Sequence, residues 1–489
     1  MKQRVTLVVA AIAFGLVATA NSGGYRFGAS DQAYYEPAIA KLIDPALFPR
    51  DSALLDVQSR FLGSVHLIAA IARLTHVSMP ALFLAIYVLT MAGLFAAAVA
   101  LARHLGLSWW AIAGLLVIVT LRHRIAKTGA NSLEGYMHPR MIAFACGVAS
   151  CAALASMRLV RASLWTALSA VMHPTTGAWF AIVLIAGVAA ARPATRRALA
   201  VLAVAGLVGG VALVAAGPLT GRAVTMDADW LSVLAEKDYL FPTGWPLYAW
   251  AINLAYPVVI ALVYRARKRL GLVGPGEHAL VAGVLALVAV FLVSVPLTSA
   301  RIALAVQLQV NRIFWIADFL TAVYVAWWLI DAAGQRVRLA IVAVLLAVAV
   351  ARGAYVLRVE ADRQLVQASL PATAWTDALA WLQTQPASWF VLADPGHAWK
   401  YGVSVRVGAH RDTLLESGKD SSMAMYDRDV ARRVKDRTAA LADFDRLDAA
   451  RARSLAARYR VDVLVEPKAH VLDLPVLYQN AGFVVYDLR

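Results

Sequence analysis

The chain has 489 residues, of which 61% are hydrophobic and 16% charged, with a mean hydropathy of +0.65. Soluble domains carry about 45–50% apolar and about 25% charged residues, so a soluble enzyme, a disordered chain and a fibrous repeat are excluded. The net charge of +16 is not a nucleic-acid tail: residues 358–489 hold 18 basic and 17 acidic side chains, so the excess lies among the apolar runs. That is the pattern of a polytopic membrane protein. Cys146 and Cys151 share one apolar run, which excludes a disulfide framework.

Stretches of about 17–25 apolar residues are long enough to cross a bilayer. In chain order they fall at 5–20, 79–101, 108–121, 140–157, 198–217, 245–264, 277–296, 313–331 and 339–357. The stretch 163–191 is interrupted by His173-Pro174-Thr175-Thr176-Gly177 and has arginines at both ends. Proline and glycine there predict a turn between two short helices, a hairpin that enters and returns. The total is eleven membrane helices and a mainly α fold.

Orientation follows from lysine and arginine placement. Lys2 and Arg4 put the N-terminus in the cytoplasm. The loops then on that side, with these two residues, hold fourteen basic residues against Glu277 and Asp331. An odd helix count puts residues 358–489 outside, in the periplasm of a bacterial inner-membrane protein. The first segment also resembles a signal peptide with Ala18-Thr19-Ala20 as a cleavage site. Cleavage would leave the orientation unchanged.

Residues 1–357 thus form a transmembrane domain with a long first outer loop at 21–77, and residues 358–489 a small α/β domain. In the latter, Trp375–Gln383 and Asp443–Arg458 read as helices. Trp389–Ala393, Val461–Glu466 and Phe483–Tyr486 read as strands. No phosphate loop, zinc spacing or nucleophile elbow appears there, which suits a lid or docking domain.

The first outer loop holds Asp31, Glu36, Asp44, Asp51 and Asp56, and is too long for a simple connection. Ile39–Leu42 and Phe61–Arg73 read as amphipathic helices lying on the membrane face. Asp31 follows the first span by some ten residues, where a carboxylate can act as general base towards an acceptor. Ser30 and Asp31 are also good helix caps.

A second outer segment carries Arg122, His123, Arg124 and Lys127, then Glu134, His138, Pro139 and Arg140. Basic residues on the outer face run against the positive-inside trend and suit a phosphate. Glu134 and His138 are four apart, and a helix would put them on one face as an acid/base or metal pair. His173 in the broken hairpin is a polar group at membrane depth, and a half-helix end beside it suits an anion. Arg301 precedes the tenth span, and Arg312 enters it at its outer end. Asp227 and Asp229 give only a weak signal for a divalent metal. No cofactor is called for.

These features together resemble the GT-C superfamily of polytopic membrane glycosyltransferases, which includes protein O-mannosyltransferases, aminoarabinose transferases and oligosaccharyltransferases. The likeness covers the architecture of the whole chain, with Asp31 as its motif-level anchor. It is nearest to an uncharacterised bacterial membrane protein group sharing Asp31-Gln32 and His138-Pro139-Arg140. The chain departs in one respect: members carry two acids together or one residue apart in the first loop, whereas Gln32 follows Asp31 and the next acid is Glu36.

The resemblance implies transfer of a sugar from a polyprenyl-phosphate-linked donor to a lipid or glycan acceptor at the outer face. Asp31, with Glu134, would be the catalytic acids. Arg122, Arg124, Arg140 and Arg312 would bind the donor phosphate, and Glu36, His138, His173 and Arg301 stand as further candidates. Two other readings remain open: a transporter or flippase of an anionic lipid or glycan, and a non-catalytic membrane assembly partner.

Overall fold

The computed structural model describes residues 2–489, with side chains from Arg4 onward, so the Lys2 side chain of the orientation argument lies outside the described residues. Helices occupy every expected membrane stretch. Among the described residues eight apolar helices are long enough to cross a membrane, and three more, Trp109–Thr120, Pro139–Ala155 and Leu159–Met172, are shorter. At 1.5 Å per residue the shorter three are roughly 18, 26 and 21 Å long, less than a hydrocarbon core of about 30 Å. These are the helices of a multi-pass membrane protein.

The chain divides into two compact units. The first comprises residues 1–25, 85–226 and 238–366; the second comprises 26–84, 227–237 and 367–489.

In the first unit the expected hairpin is present as Leu159–Met172 and Pro174–Ala191. His173 between them is extended, with φ −153° and ψ 101°. A residue before proline is pushed out of the helical region, and the proline lacks the N–H that would continue the helix. A Cβ on Gly177 would collide with the backbone of Ala170, so only glycine lets the two arms close at the turn. The hydroxyl pair Ser150–Thr166 (2.7 Å) and the bond from Ser169 Oγ to the Ala143 carbonyl (2.7 Å) tie the first arm to helix Pro139–Ala155. Helix Arg196–Ala216 has no buried residue and is apolar all round, as a lipid-facing helix must be.

The second unit contains a five-stranded mixed sheet. Its spatial order is Asp412–Thr413, Phe390–Ala393, Val463–Pro467, Phe483–Asp487, Val476–Gln479. The first three run parallel and the last two pairings are antiparallel. Trp375, Leu379 and Leu382 of helix Ala374–Gln383 pack on Val391, Val463, Val465 and Val485 of the sheet. The predicted helix over 443–458 begins later, at Ala449, after a turn of 3-10 helix at Phe444–Arg446.

Residues 26–84 share this unit with the sheet. Arg406, 1% exposed, joins Asp51 (Nε to Oδ2, 2.7 Å) and Asp420 (2.7 and 3.1 Å). The Asp412 carboxylate accepts the backbone N–H groups of Arg50 and Asp51, each at 2.9 Å. One expectation fails here. Ile39–Leu42 is no surface helix: it belongs to Gln32–Ile43, in which residues 32–40 are all buried. An apolar stripe reads alike whether lipid or protein covers it.

Candidate functional site

Two helices of the first unit begin in the same way, with a histidine cap followed by proline. His138 Nδ1 accepts the backbone N–H of Arg140 at 3.0 Å at the start of Pro139–Ala155. His173 Nδ1 accepts the backbone N–H of Thr176 at 3.4 Å at the start of Pro174–Ala191 and lies 3.0 Å from Thr176 Oγ1. Proline at the first helical position costs no hydrogen bond, because that N–H has no partner within the helix. Each helix start also carries about half a positive charge.

These two starts lie together. His138, Arg140 and Arg312 are close enough for their charges to act on the His173 ring. Arg140, 4% exposed, is ion-paired to Glu134 (Nη2 to Oε1, 2.8 Å) and lies 5.7 Å over the Trp315 ring. Asn131 Nδ2 donates to both Glu134 oxygens, at 3.2 and 3.1 Å. Trp315 stacks on Phe144 at 3.9 Å and its Nε1 donates to the Ser132 carbonyl at 3.1 Å, which pins the loop carrying Glu134. Glu134, His138, Arg140, His173 and Arg312 are therefore one cluster. It sets two arginines and a glutamate beside two helix N-termini, an arrangement suited to a phosphate.

Segment 132–138 is not helical, so the helix-face argument for Glu134 and His138 fails. Pro139 disfavours helix before it. A Cβ on Gly135 would stand 2.6 Å from the Gly24 carbonyl oxygen, so the loop lies against the Ser22–Gly24 turn. Glu134 pairs with Arg140, and His138 caps a helix.

The other cationic candidates differ. Arg122 Nε donates to the Leu133 carbonyl at 3.1 Å, and its own carbonyl accepts from Arg352, a role in holding the loop. Arg124 is exposed on the short strand Arg124–Ile125, paired with Ala130–Asn131. Arg301 is exposed at a left-handed position, φ +58°. The sequence reading missed the pair His123 Nε2–Asp318 Oδ1 (3.1 Å), which lines an apolar cavity of about 200 Å³ with Leu94, Ile118, Phe144 and Phe319. An aspartate inside an apolar span was the available signal.

Asp31 and Glu36 belong to the second unit. Asp31 stands at the N-cap of helix Gln32–Ile43 without a side-chain capping bond. Its carboxylate, 40% exposed, accepts from Lys419 Nζ at 2.6 Å. Lys237 Nζ donates to the adjoining Gly418 carbonyl at 3.3 Å, and burial together with the charge of Lys419 lowers its pKa. Glu36 is buried and 3.0 Å from His410 Nε2. Burial works against a charged His410, but the Glu36 carboxylate outweighs it and raises the histidine's pKa.

Among the described residues no group of three or more His, Cys, Asp or Glu side chains is arranged to hold a metal ion. Asp227 caps Trp230 and pairs with Arg428, and Asp229 pairs with Lys435. An ammonium sits against Asp31. These residues do not fit a divalent cation.

No family model and no curated protein matches the chain. The solved structures similar to it include three of an oligosaccharyltransferase from the archaeon Archaeoglobus fulgidus. One is AglB in complex with an inhibitory peptide and a dolichol-phosphate: 12% identity, 95% of this chain and 70% of that chain covered, TM-score 0.48. The apo form has 11% identity, coverage of 94% and 69%, and a TM-score of 0.48. The form with zinc and sulfate has 13% identity, coverage of 94% and 68%, and a TM-score of 0.46. A likeness at this level assigns no residue a role.

Proposed function

We propose that the protein is a GT-C-like glycosyltransferase of a bacterial inner membrane, moving a sugar from a polyprenyl-phosphate-linked donor to a lipid or glycan acceptor at the periplasmic face. The observation that carries this reading is the cationic cluster at the two histidine-capped helix starts. When a glycosidic bond to phosphate breaks, the leaving phosphate gains negative charge. Fixed cations aimed at it act more strongly in the transition state than in the ground state. Arg140 and Arg312 take that role, and Glu134 fixes Arg140. Asp31 takes the acceptor's proton. Its carboxylate is held by the Lys419 ammonium, which an acceptor must displace to reach it.

The test is release of polyprenyl phosphate by purified protein in liposomes with a panel of undecaprenyl-phosphate sugars. Release is expected from at least one donor, reduced about 10²–10⁴-fold in Asp31→Asn, the span of general-base catalysis. Full activity of Asp31→Asn would remove its role. Donor carried across the bilayer intact, without release, would replace the reading with a flippase.

A further inference from the structure

We propose that the carboxyl ends of two adjacent parallel strands in the second unit, Phe390–Ala393 and Val463–Pro467, form a binding site for a primary ammonium group, held by Glu466 with Asp394 and Asp445. This inference stands apart from the glycosyltransferase reading.

Topology comes first. Strand Phe390–Ala393 is followed in the sheet by Asp412–Thr413 on one side, and the chain then returns to Val463–Pro467 on the other side. Connections that leave to opposite sides open a crevice at the carboxyl ends of the strands, where open α/β sheets bind ligands. Ala393 is in register with Val465, and one further step sets Asp394 beside Glu466. Neighbours in register project to the same side of a sheet, so two carboxylates lie side by side at the crevice.

Glu466 is 2% exposed. Its Oε2 contacts His470 Nδ1 at 3.1 Å, while its Oε1 is buried without a hydrogen-bond partner. A buried acceptor left unmatched costs about 1–3 kcal/mol, which a donor entering the crevice recovers. Asp394 accepts the backbone N–H of Gly396 at 2.6 Å and pairs with Lys400, whose ammonium also reaches Asp445 at 3.4 Å. The crevice therefore already holds one ammonium between two carboxylates. Three carboxylates against one lysine and the half-exposed His470 leave room for a second cation. An ammonium carries three donors, enough to serve more than one carboxylate.

The electrostatics agree. Burial, followed by the charges of Asp394 and Asp445, raises Glu466 to about 7 against the opposing pull of His470. Tyr401 is close enough to feel the charges of Asp394, Lys400, Glu466 and Asp445. An arriving cation offsets the cost of burying the Glu466 carboxylate and its repulsion by Asp394 and Asp445.

The test is calorimetric titration of the full-length protein in detergent at pH 8 with ethanolamine and with lysophosphatidylethanolamine, against N-acetylethanolamine and lysophosphatidylcholine. Saturable binding of an ammonium probe and none of its blocked counterpart is expected. Binding of ethanolamine identifies a soluble amine as sufficient; binding of the lipid alone identifies an aminolipid headgroup. Glu466→Gln should weaken binding about tenfold or more, the loss of one charge-assisted hydrogen bond. Affinity should also fall as pH drops from 8 to 6. Asp445→Asn, at a side chain 87% exposed, leaves folding intact and should weaken binding about threefold, as befits a solvent-screened charge. Equal binding of the blocked probes, no binding of either ammonium probe, or unchanged affinity in Asp445→Asn together with Glu466→Gln overturns the site. If Glu466→Gln does not fold, unchanged affinity in Asp445→Asn alone overturns it.

Discussion

Two arginine–glutamate pairs buried among the described residues of the first unit are built differently. Arg267 and Glu277, 2% and 3% exposed, meet through two parallel bonds, Nε to Oε1 at 2.8 Å and Nη2 to Oε2 at 3.0 Å. Tyr324 donates to Glu277 at 3.0 Å, the Leu105 carbonyl accepts from Arg267 at 2.6 Å, and the Trp327 ring lies 4.8 Å under the guanidinium. One positive charge meets one negative charge in a closed setting. Arg140 and Glu134 are also buried but stand beside a second arginine, Arg312, and the rings of His138 and His173. A balanced pair serves the fold. A pair set beside a further arginine and two helix N-termini is suited to an anion that arrives from outside.

The largest effect should come from breaking the balanced pair. Glu277→Ala strands a buried guanidinium and should cost about 3–5 kcal/mol. Thermal unfolding in detergent measures this; a loss below about 1 kcal/mol would deny the pair its structural role. Arg140→Ala should instead act on turnover, lowering phosphate release about 10²–10³-fold, as loss of a charge-stabilising donor does. If Arg140→Ala lowers stability as much as Glu277→Ala and turnover falls only with the folded fraction, the two pairs are alike.

The second unit carries the comparison into pH. Burial works against a charged Asp51, but Arg406 and Arg433 outweigh it and hold the carboxyl near 2. Burial and the charge of Asp51 raise Asp412 to about 6. Asp51, depressed on folding, contributes stability above pH 4 that is lost as pH falls towards 2. Asp412, raised on folding, has the opposite sign: stability falls as pH climbs from about 4 to about 6. Asp412→Asn should remove that fall, on the order of 1–3 kcal/mol, at a basal cost of about 1 kcal/mol for one lost backbone acceptor. Chemical denaturation at pH 4, 5, 6 and 7 reads both; an unchanged slope would clear Asp412. The smallest effect is expected at Arg301. Arg301→Ala at this exposed position should change stability by less than about 0.5 kcal/mol and leave turnover as it was.

Much of the fold was legible because its causes are local. Length and apolarity place the helices, and His173-Pro174 breaks the hairpin through the restriction that proline puts on the residue before it. The same rule was available at His138-Pro139 and would have prevented the helical reading of Glu134 and His138. Other features depend on contacts far apart in the chain. Asp51 meets Arg406 across 355 positions, and Asp31 meets Lys419 across 388. No spacing announces such pairs. The orientation count also treated Arg267 as a loop charge, whereas the structure neutralises it inside the first unit. Arg140 stood out in the sequence with the basic outer segment and Arg312 because it enters an apolar span, but their meeting with His173 needed the folded helices.

The hairpin closed at Gly177 has a consequence for how the chain is made. Its first arm has 14 residues, about 21 Å of helix, and is followed directly by an 18-residue arm. A ribosome delivering the first arm alone offers the bilayer a segment too short to span it, with a free helix end exposed at depth. The second arm must follow before the first can be retained. The two therefore enter as one inserted unit, and the His173 cap is completed only when Thr176 has been synthesised and folded behind it.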